Sequence, residues 1–114
     1  MLQLKMKGRM GKMEKTIEQY FVKMVKQKLK GVALKLNSLS MTGLPDRIIL
    51  LPKGRVFFAE IKDTGKKATS LQLAVHDILR SLDFRVYVID SKKQVEEVVL
   101  QEWTLTLTII KKWH

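Results

Sequence analysis

Two apolar runs, Ile48–Leu51 and Arg55–Lys62, meet across the tetrapeptide Leu51-Pro52-Lys53-Gly54. Proline at its second position and glycine at its fourth mark a turn. Strands joined by so short a connection must lie side by side and antiparallel. This hairpin is the strongest constraint on the fold, because every other element has to be arranged around it.

Before the hairpin, Ile17, Phe21, Met24, Val25 and Leu29 recur at three- and four-residue steps, which predicts a helix from Met13 to Lys30. Gly31 is its expected stop, Val32–Leu36 reads as a strand, and residues 37–42 form a polar loop. After the hairpin, Asp63–Ala68 is a loop and Thr69 or Ser70 can cap a helix reaching about Leu82. Leu71, Val75, Ile78, Leu79 and Leu82 are its expected buried stripe. Phe84–Ile89 is apolar on both faces except Arg85, as a strand covered on two sides would be. Ser91 and Gln94 fit a capping box opening a last helix that points Val95, Val98 and Val99 inward. Trp103–His114 alternates Trp, Leu and Ile with Thr, the pattern of an edge strand, a dimer contact or a tail. The order is helix, three-stranded antiparallel meander, helix, strand, helix around a mixed sheet, an α/β fold.

A chain of 114 residues, 46% of them hydrophobic, suits one domain with one core. Cysteine is absent, which excludes disulfides, thiolate zinc sites and cysteine nucleophiles. No apolar run approaches the roughly 18 residues of a membrane span, so the expected setting is soluble and reducing, without a membrane partner. The net charge is +11, and ten of the 22 Lys and Arg fall in residues 1–35 against only Glu14 and Glu18. Clustered cations release counterions from phosphates, which favours nucleic acid first and an anionic membrane surface second. A basic segment that merely aids solubility is the plainer alternative. Residues 1–12, with Gly8 and Gly11, read as a mobile basic arm.

Candidate chemistry gathers around the hairpin. Side chains alternate along a strand, so Glu60 and Lys62 share one face. A turn centred on Pro52-Lys53 sets Asp46 near Ala59, diagonally beside Glu60, and a one-residue shift would bring the two carboxylates together. Two carboxylates with the backbone carbonyl of Ile61 can hold Mg²⁺, and Lys62 beside the ion can orient a nucleophilic water. The residues alone leave this reading and a purely structural ion cluster both open. Glu14 and Glu18 fall on the core-facing arc of the first helix, where first-turn acids also complement the helix dipole. Lys66 and Lys67 follow the Glu-x-Lys strand and could touch phosphate, and Arg47 could pair with a phosphate or with an acid such as Asp63. His76, one turn after Gln72, reads as a solitary surface histidine.

Taken together, Glu14, Gly43-Leu44-Pro45-Asp46-Arg47, Glu60-Ile61-Lys62 and Ser70-Leu71-Gln72 resemble the virus-type replication-repair nuclease (VRR-NUC) family. That family belongs to the PD-(D/E)xK nuclease superfamily, and the likeness is to its small stand-alone phage form. The resemblance spans residues 13–101, with residues 1–12 and 102–114 outside it. It implies a restriction-endonuclease-like core and a metal-dependent, structure-specific DNA endonuclease. Asp46 and Glu60 would be metal ligands with the Ile61 carbonyl. Lys62 would position or deprotonate water, Gln72 would support the site's geometry, and Glu14 would be the helix-one acid, with Glu18 the alternative. Mg²⁺ is the implied cofactor, Mn²⁺ its substitute, with no small-molecule cofactor. The implied partner is branched DNA such as a Holliday junction, cut by a homodimer during phage replication, recombination or repair in the cytoplasm of a bacterial host. A catalytically inactive DNA-binding module of the same fold is the alternative.

Overall fold

The computed structural model describes residues 11–37 and 41–113. Helix α1 (Lys12–Leu29) leads into β1 (Val32–Lys35) and β2 (Arg47–Leu50). A short 3-10 turn (Pro52–Gly54) leads to β3 (Val56–Ile61), then α2 (Ser70–Ser81), β4 (Arg85–Ile89) and α3 (Lys92–Trp113). Most of the proposed basic arm, residues 1–10, lies outside the described residues, while Lys12 begins α1.

The four strands lie in chain order, β1-β2-β3-β4, antiparallel except for the parallel β3–β4 pair. That parallel pair needs the crossover that α2 supplies. Phe57, Ala59 and Ile61 alternate onto one face of β3, where they join Ile17, Phe21 and Val25 of α1 and Val95, Val98 and Val99 of α3 in a single core. Phe21, Phe57 and Tyr87 stack edge to face through it. Phe58 and Glu60 alternate to the opposite face.

Four expectations are corrected. The pairing is shifted by one residue from what the Pro-x-Gly signal suggests, which centres the hairpin on Lys53. Lys53 and Gly54 both take positive φ (67° and 72°), and Leu51 N–H donates to the Arg55 carbonyl at 2.8 Å. The register therefore pairs Arg47, not Asp46, with Ala59. The α1 helix ends on Lys30 in the left-handed region. Gly31 is there for space instead, since a Cβ would lie 2.7 Å from the Leu50 carbonyl oxygen.

The expected stripe of α2 is largely solvent-facing: only Val75 and His76 are buried, while Leu71, Ile78 and Leu82 are exposed. The helix meets the sheet chiefly at β4, so a narrow strip suffices.

Finally, residues 103–113 are helix, not an edge strand. Its Leu, Thr and Ile positions satisfy both periods, and continuity with the Ser91 cap decides between them. Thr104, Thr106 and Thr108 donate to carbonyls four residues back at 2.9–3.1 Å, which accommodates β-branched side chains in the helix. Glu102 then ties α3 to the sheet. It is fully buried and accepts from Arg55 (2.9 Å), Arg85 (2.6 and 2.8 Å) and the Tyr87 hydroxyl (2.6 Å). Among the described residues no helix is long and apolar enough to cross a membrane.

Candidate active site

The loop Gly43-Leu44-Pro45 aims Asp46. Gly43 has φ +92°, and a Cβ there would sit 3.0 Å from Val75 of α2, so glycine is needed both for the backbone angle and for the close approach. Pro45 is fully buried beside it. The Asp46 carbonyl accepts from Leu36 N–H at 2.9 Å, and its Oδ2 accepts from Ile61 N–H at 2.7 Å. In an extended strand a residue's N–H and C=O point to the same side. The Ile61 carbonyl therefore faces Asp46.

Glu60 is only 1% exposed, and the Asp46 carboxylate is its nearest electrostatic neighbour of like charge. Burial, reinforced by the adjacent Asp46 charge, pushes its pKa up to about 8. Oε2 of Glu60 accepts from Gln72 Nε2 at 3.2 Å and lies 3.8 Å from Lys62 Nζ. Oε1 is buried and has no hydrogen-bond partner. Gln72 is held by the first turn of α2, where the Thr69 hydroxyl accepts from Gln72 N–H (3.2 Å) and Gln72 Oε1 accepts from Thr69 N–H (2.9 Å).

Glu14 approaches from α1. Its N–H donates to Asp63 Oδ1 at 2.6 Å, so the residue just after Lys62 docks the first turn of the helix. Burial raises the Glu14 pKa, and the nearby Asp46 and Asp63 carboxylates raise it further. Glu14, Glu18, Lys35, Leu36 and Asp46 line a cleft of about 200 Å³.

Glu14, Asp46, Glu60, Lys62 and Gln72 are thus brought together. Glu18 lines the same cleft as Glu14 and Asp46, but its carboxylate is taken up by a buried ion pair with Arg47, which explains a carboxylate on the core-facing arc. Arg47 also donates to the Ala33 carbonyl at 3.0 Å, so its guanidinium is committed within the protein. Lys66 and Lys67 are exposed in the loop after β3 and make no ion pair among the described residues.

His76 is no surface histidine. It is fully buried, with Nε2 3.6 Å from Glu60 Oε1, too far for a hydrogen bond, and neither ring nitrogen has a partner. Burial lowers its pKa, which favours the neutral form of the ring beside Glu60. Its position four residues after Gln72 was the available signal, since that spacing puts both on one flank of α2.

Two neighbouring carboxyls, one carrying a buried oxygen without a donor, form a site that a divalent cation would neutralise. Among the described residues no three His, Asp or Glu side chains form a ready metal cage. The donor set that fits is Asp46, Glu60 and the main-chain carbonyl of Ile61.

No family model matches the chain. A curated protein named "Putative nuclease p44", from Acyrthosiphon pisum secondary endosymbiont phage 1, is 40% identical over 79 residues, 69% of this chain and 84% of that protein. A solved structure of a VRR_NUC domain superposes with a TM-score of 0.72 at 30% identity, over 78% of this chain and 96% of that one.

Proposed function

This chain belongs to the VRR-NUC family and is a nuclease by that membership, and from this premise we propose that it is a metal-dependent endonuclease hydrolysing phosphodiesters in branched DNA. The observation that carries the chemistry is the meeting of the Asp46 and Glu60 carboxyls, with an unpartnered Glu60 oxygen, within reach of Lys62.

Asp46, Glu60 and the Ile61 carbonyl would hold Mg²⁺, or Mn²⁺ in its place. When bound, such an ion makes water more acidic and offsets charge growing on a phosphate oxygen. Asp46 is kept in place by the Ile61 N–H and Glu60 by Gln72, so neither carboxyl has to reorganise on binding. Lys62 orients the attacking water and, as an ammonium, stabilises the pentavalent transition state electrostatically. In-line attack expels the 3′-oxygen. Glu14, which lines the cleft with Asp46, assists from α1.

A preference for branched substrates follows from pairing two such sites. On α3, Leu100, Trp103, Leu107 and Ile110 are each at least 41% exposed and follow the 3-4-3 spacing of a helix-pairing seam. That spacing reads the same in both directions, so two copies can pair antiparallel about a twofold axis. Glu97 near one end of the seam would then approach the partner's Lys111 and Lys112. This homodimer would cut paired strands in the cytoplasm of a bacterial host, the setting of a phage enzyme.

The test is cleavage of four-way, flap and linear DNA, with and without Mg²⁺, by the wild type and by Asp46→Asn and Glu60→Gln. We expect Mg²⁺-dependent cutting of branched DNA that both substitutions abolish while DNA binding persists. Undiminished cutting by either variant removes that carboxylate from the mechanism. Binding without cutting by the wild type would identify an inactive module of the same fold.

A further inference from the structure

Alongside α1 runs a groove whose far wall is the edge strand β1. Its central part, about 530 Å³, is lined by Lys15, Lys23, Lys26 and Lys35 together with Glu18 and Arg47. It continues past Val22 and Lys26 to a further 460 Å³ recess that reaches Lys30 and the start of β1. At its other end it shares Glu18 and Lys35 with the cleft that holds Glu14 and Asp46. From Glu14 to Lys30 the helix rises about 24 Å, a length matching roughly seven base pairs along a duplex.

The charges in this groove are unequally free. Glu18 is its only acid, and Arg47 neutralises it. Lys15, Lys23, Lys26, Lys30 and Lys35 are all exposed, and none makes an ion pair among the described residues. Five unpaired cations on one track, without a competing carboxylate, attract a polyanion. The track opens at the carboxylates that would do the chemistry, so an anionic lipid surface or an acidic peptide would leave that continuity without a purpose.

We propose that the α1–β1 groove is the track for the DNA sugar-phosphate backbone, carrying it from Lys30 past Lys26 and Lys35 into the Asp46–Glu60 site. The assignment rests on the nuclease reading above and moves the principal phosphate contacts away from Arg47, whose charge is consumed by Glu18. Lysines act here as point charges on phosphates and read no base edge, so the groove favours backbone path over sequence.

The experiment is equilibrium binding of fluorescently labelled four-way and linear DNA in EDTA, where no cutting occurs, over a series of salt concentrations. The variants are the triple Lys23→Gln, Lys26→Gln, Lys30→Gln and a control double, Lys28→Gln, Lys93→Gln, on α1 and α3 away from the groove lining. We expect the triple variant to bind on the order of tenfold more weakly, with the salt slope reduced by about one per lysine that contacts a phosphate. The control should stay close to wild type. Equal losses in the two variants would overturn the proposal, because they would mean diffuse charge without a track. Unchanged DNA binding by the triple variant would overturn it too, and loss of binding only to phosphatidylserine vesicles would assign the groove to a membrane. A wild type that binds through these lysines but cuts no DNA with Mg²⁺ would sink the nuclease reading and leave the groove assignment standing.

Discussion

Gln72 Nε2 donates to Glu60 Oε2 at 3.2 Å while the Oε1 of the same side chain accepts from Thr69 N–H. One amide therefore closes the cap of α2 and fixes a buried carboxyl of the site. The two duties can be separated. Gln72→Glu keeps an acceptor for Thr69 but replaces the donor to Glu60 with a like charge. We expect it to retain most of the thermal stability and to lose activity by about 100-fold or more. Gln72→Ala removes both contacts and should cost about 1 kcal/mol of stability as well. Melting temperature and cleavage rate measured on the same preparations separate these effects. Parallel losses of both quantities in Gln72→Glu would show that its contribution is structural.

The raised pKa of Glu60 has a definite sign in stability. Its folded value of about 8 lies above the ordinary carboxylate value of 4.5, so between these limits the folded protein holds a proton that the unfolded chain releases. Stability from this group is complete below pH 4.5 and is lost as pH rises toward 8. Glu60→Gln cannot ionise and escapes that loss. In chelator, its melting temperature should gain on that of the wild type between pH 5 and pH 8, on the order of 10 °C. Added Mg²⁺ should narrow the gap by favouring the ionised wild-type carboxylate. Parallel melting curves across that pH range would show that Glu60 is not the group responsible.

Much of the fold could be read from local signals, because the hairpin, the Thr69 and Ser91 caps and the period of α1 each depend on a few neighbouring residues. The convergence of Asp46, Glu60 and Lys62 was also legible, since a tight hairpin leaves little freedom of register. What was not legible depended on partners distant in sequence. The Thr-rich end of α3 fits two periods, and only its continuity with the capped helix and the clamp of Arg55 and Arg85 on Glu102 select the helix. His76 sits on a helix whose flanking leucines and isoleucine point outward, so its own surroundings gave no sign of burial. The role of Glu18 required knowing that Arg47 lies across from it.

The Glu102 cluster lies at the start of β3 and β4, the opposite end of the sheet from Lys62. Glu102→Ala would strand Arg55 and Arg85 beside an emptied buried site and release the Tyr87 hydroxyl. Breaking such a network by removing one partner costs about 3–5 kcal/mol. We expect a correspondingly lower urea midpoint, with cleavage per folded molecule unchanged at temperatures where the variant remains native. A loss of activity in the fully folded variant would tie this end of the sheet to the chemistry.

The seam on α3 makes a prediction independent of catalysis. In the antiparallel pairing Leu107 faces Trp103 of the partner subunit, and the twofold axis repeats that contact, so Leu107→Glu sets a carboxylate in an apolar contact twice in each dimer. We expect sedimentation to show a dimer for the wild type and a monomer for Leu107→Glu, with helix content unchanged because position 107 is exposed in the single chain. Nicking of one strand in a four-way junction should survive in the monomer, since each copy carries a complete Asp46–Glu60–Lys62 set, whereas coordinated cutting of both strands should fall steeply. The Ile78→Glu variant, on the exposed face of α2, gives the decisive contrast. If it dissociates the dimer and Leu107→Glu does not, the two copies meet through α2.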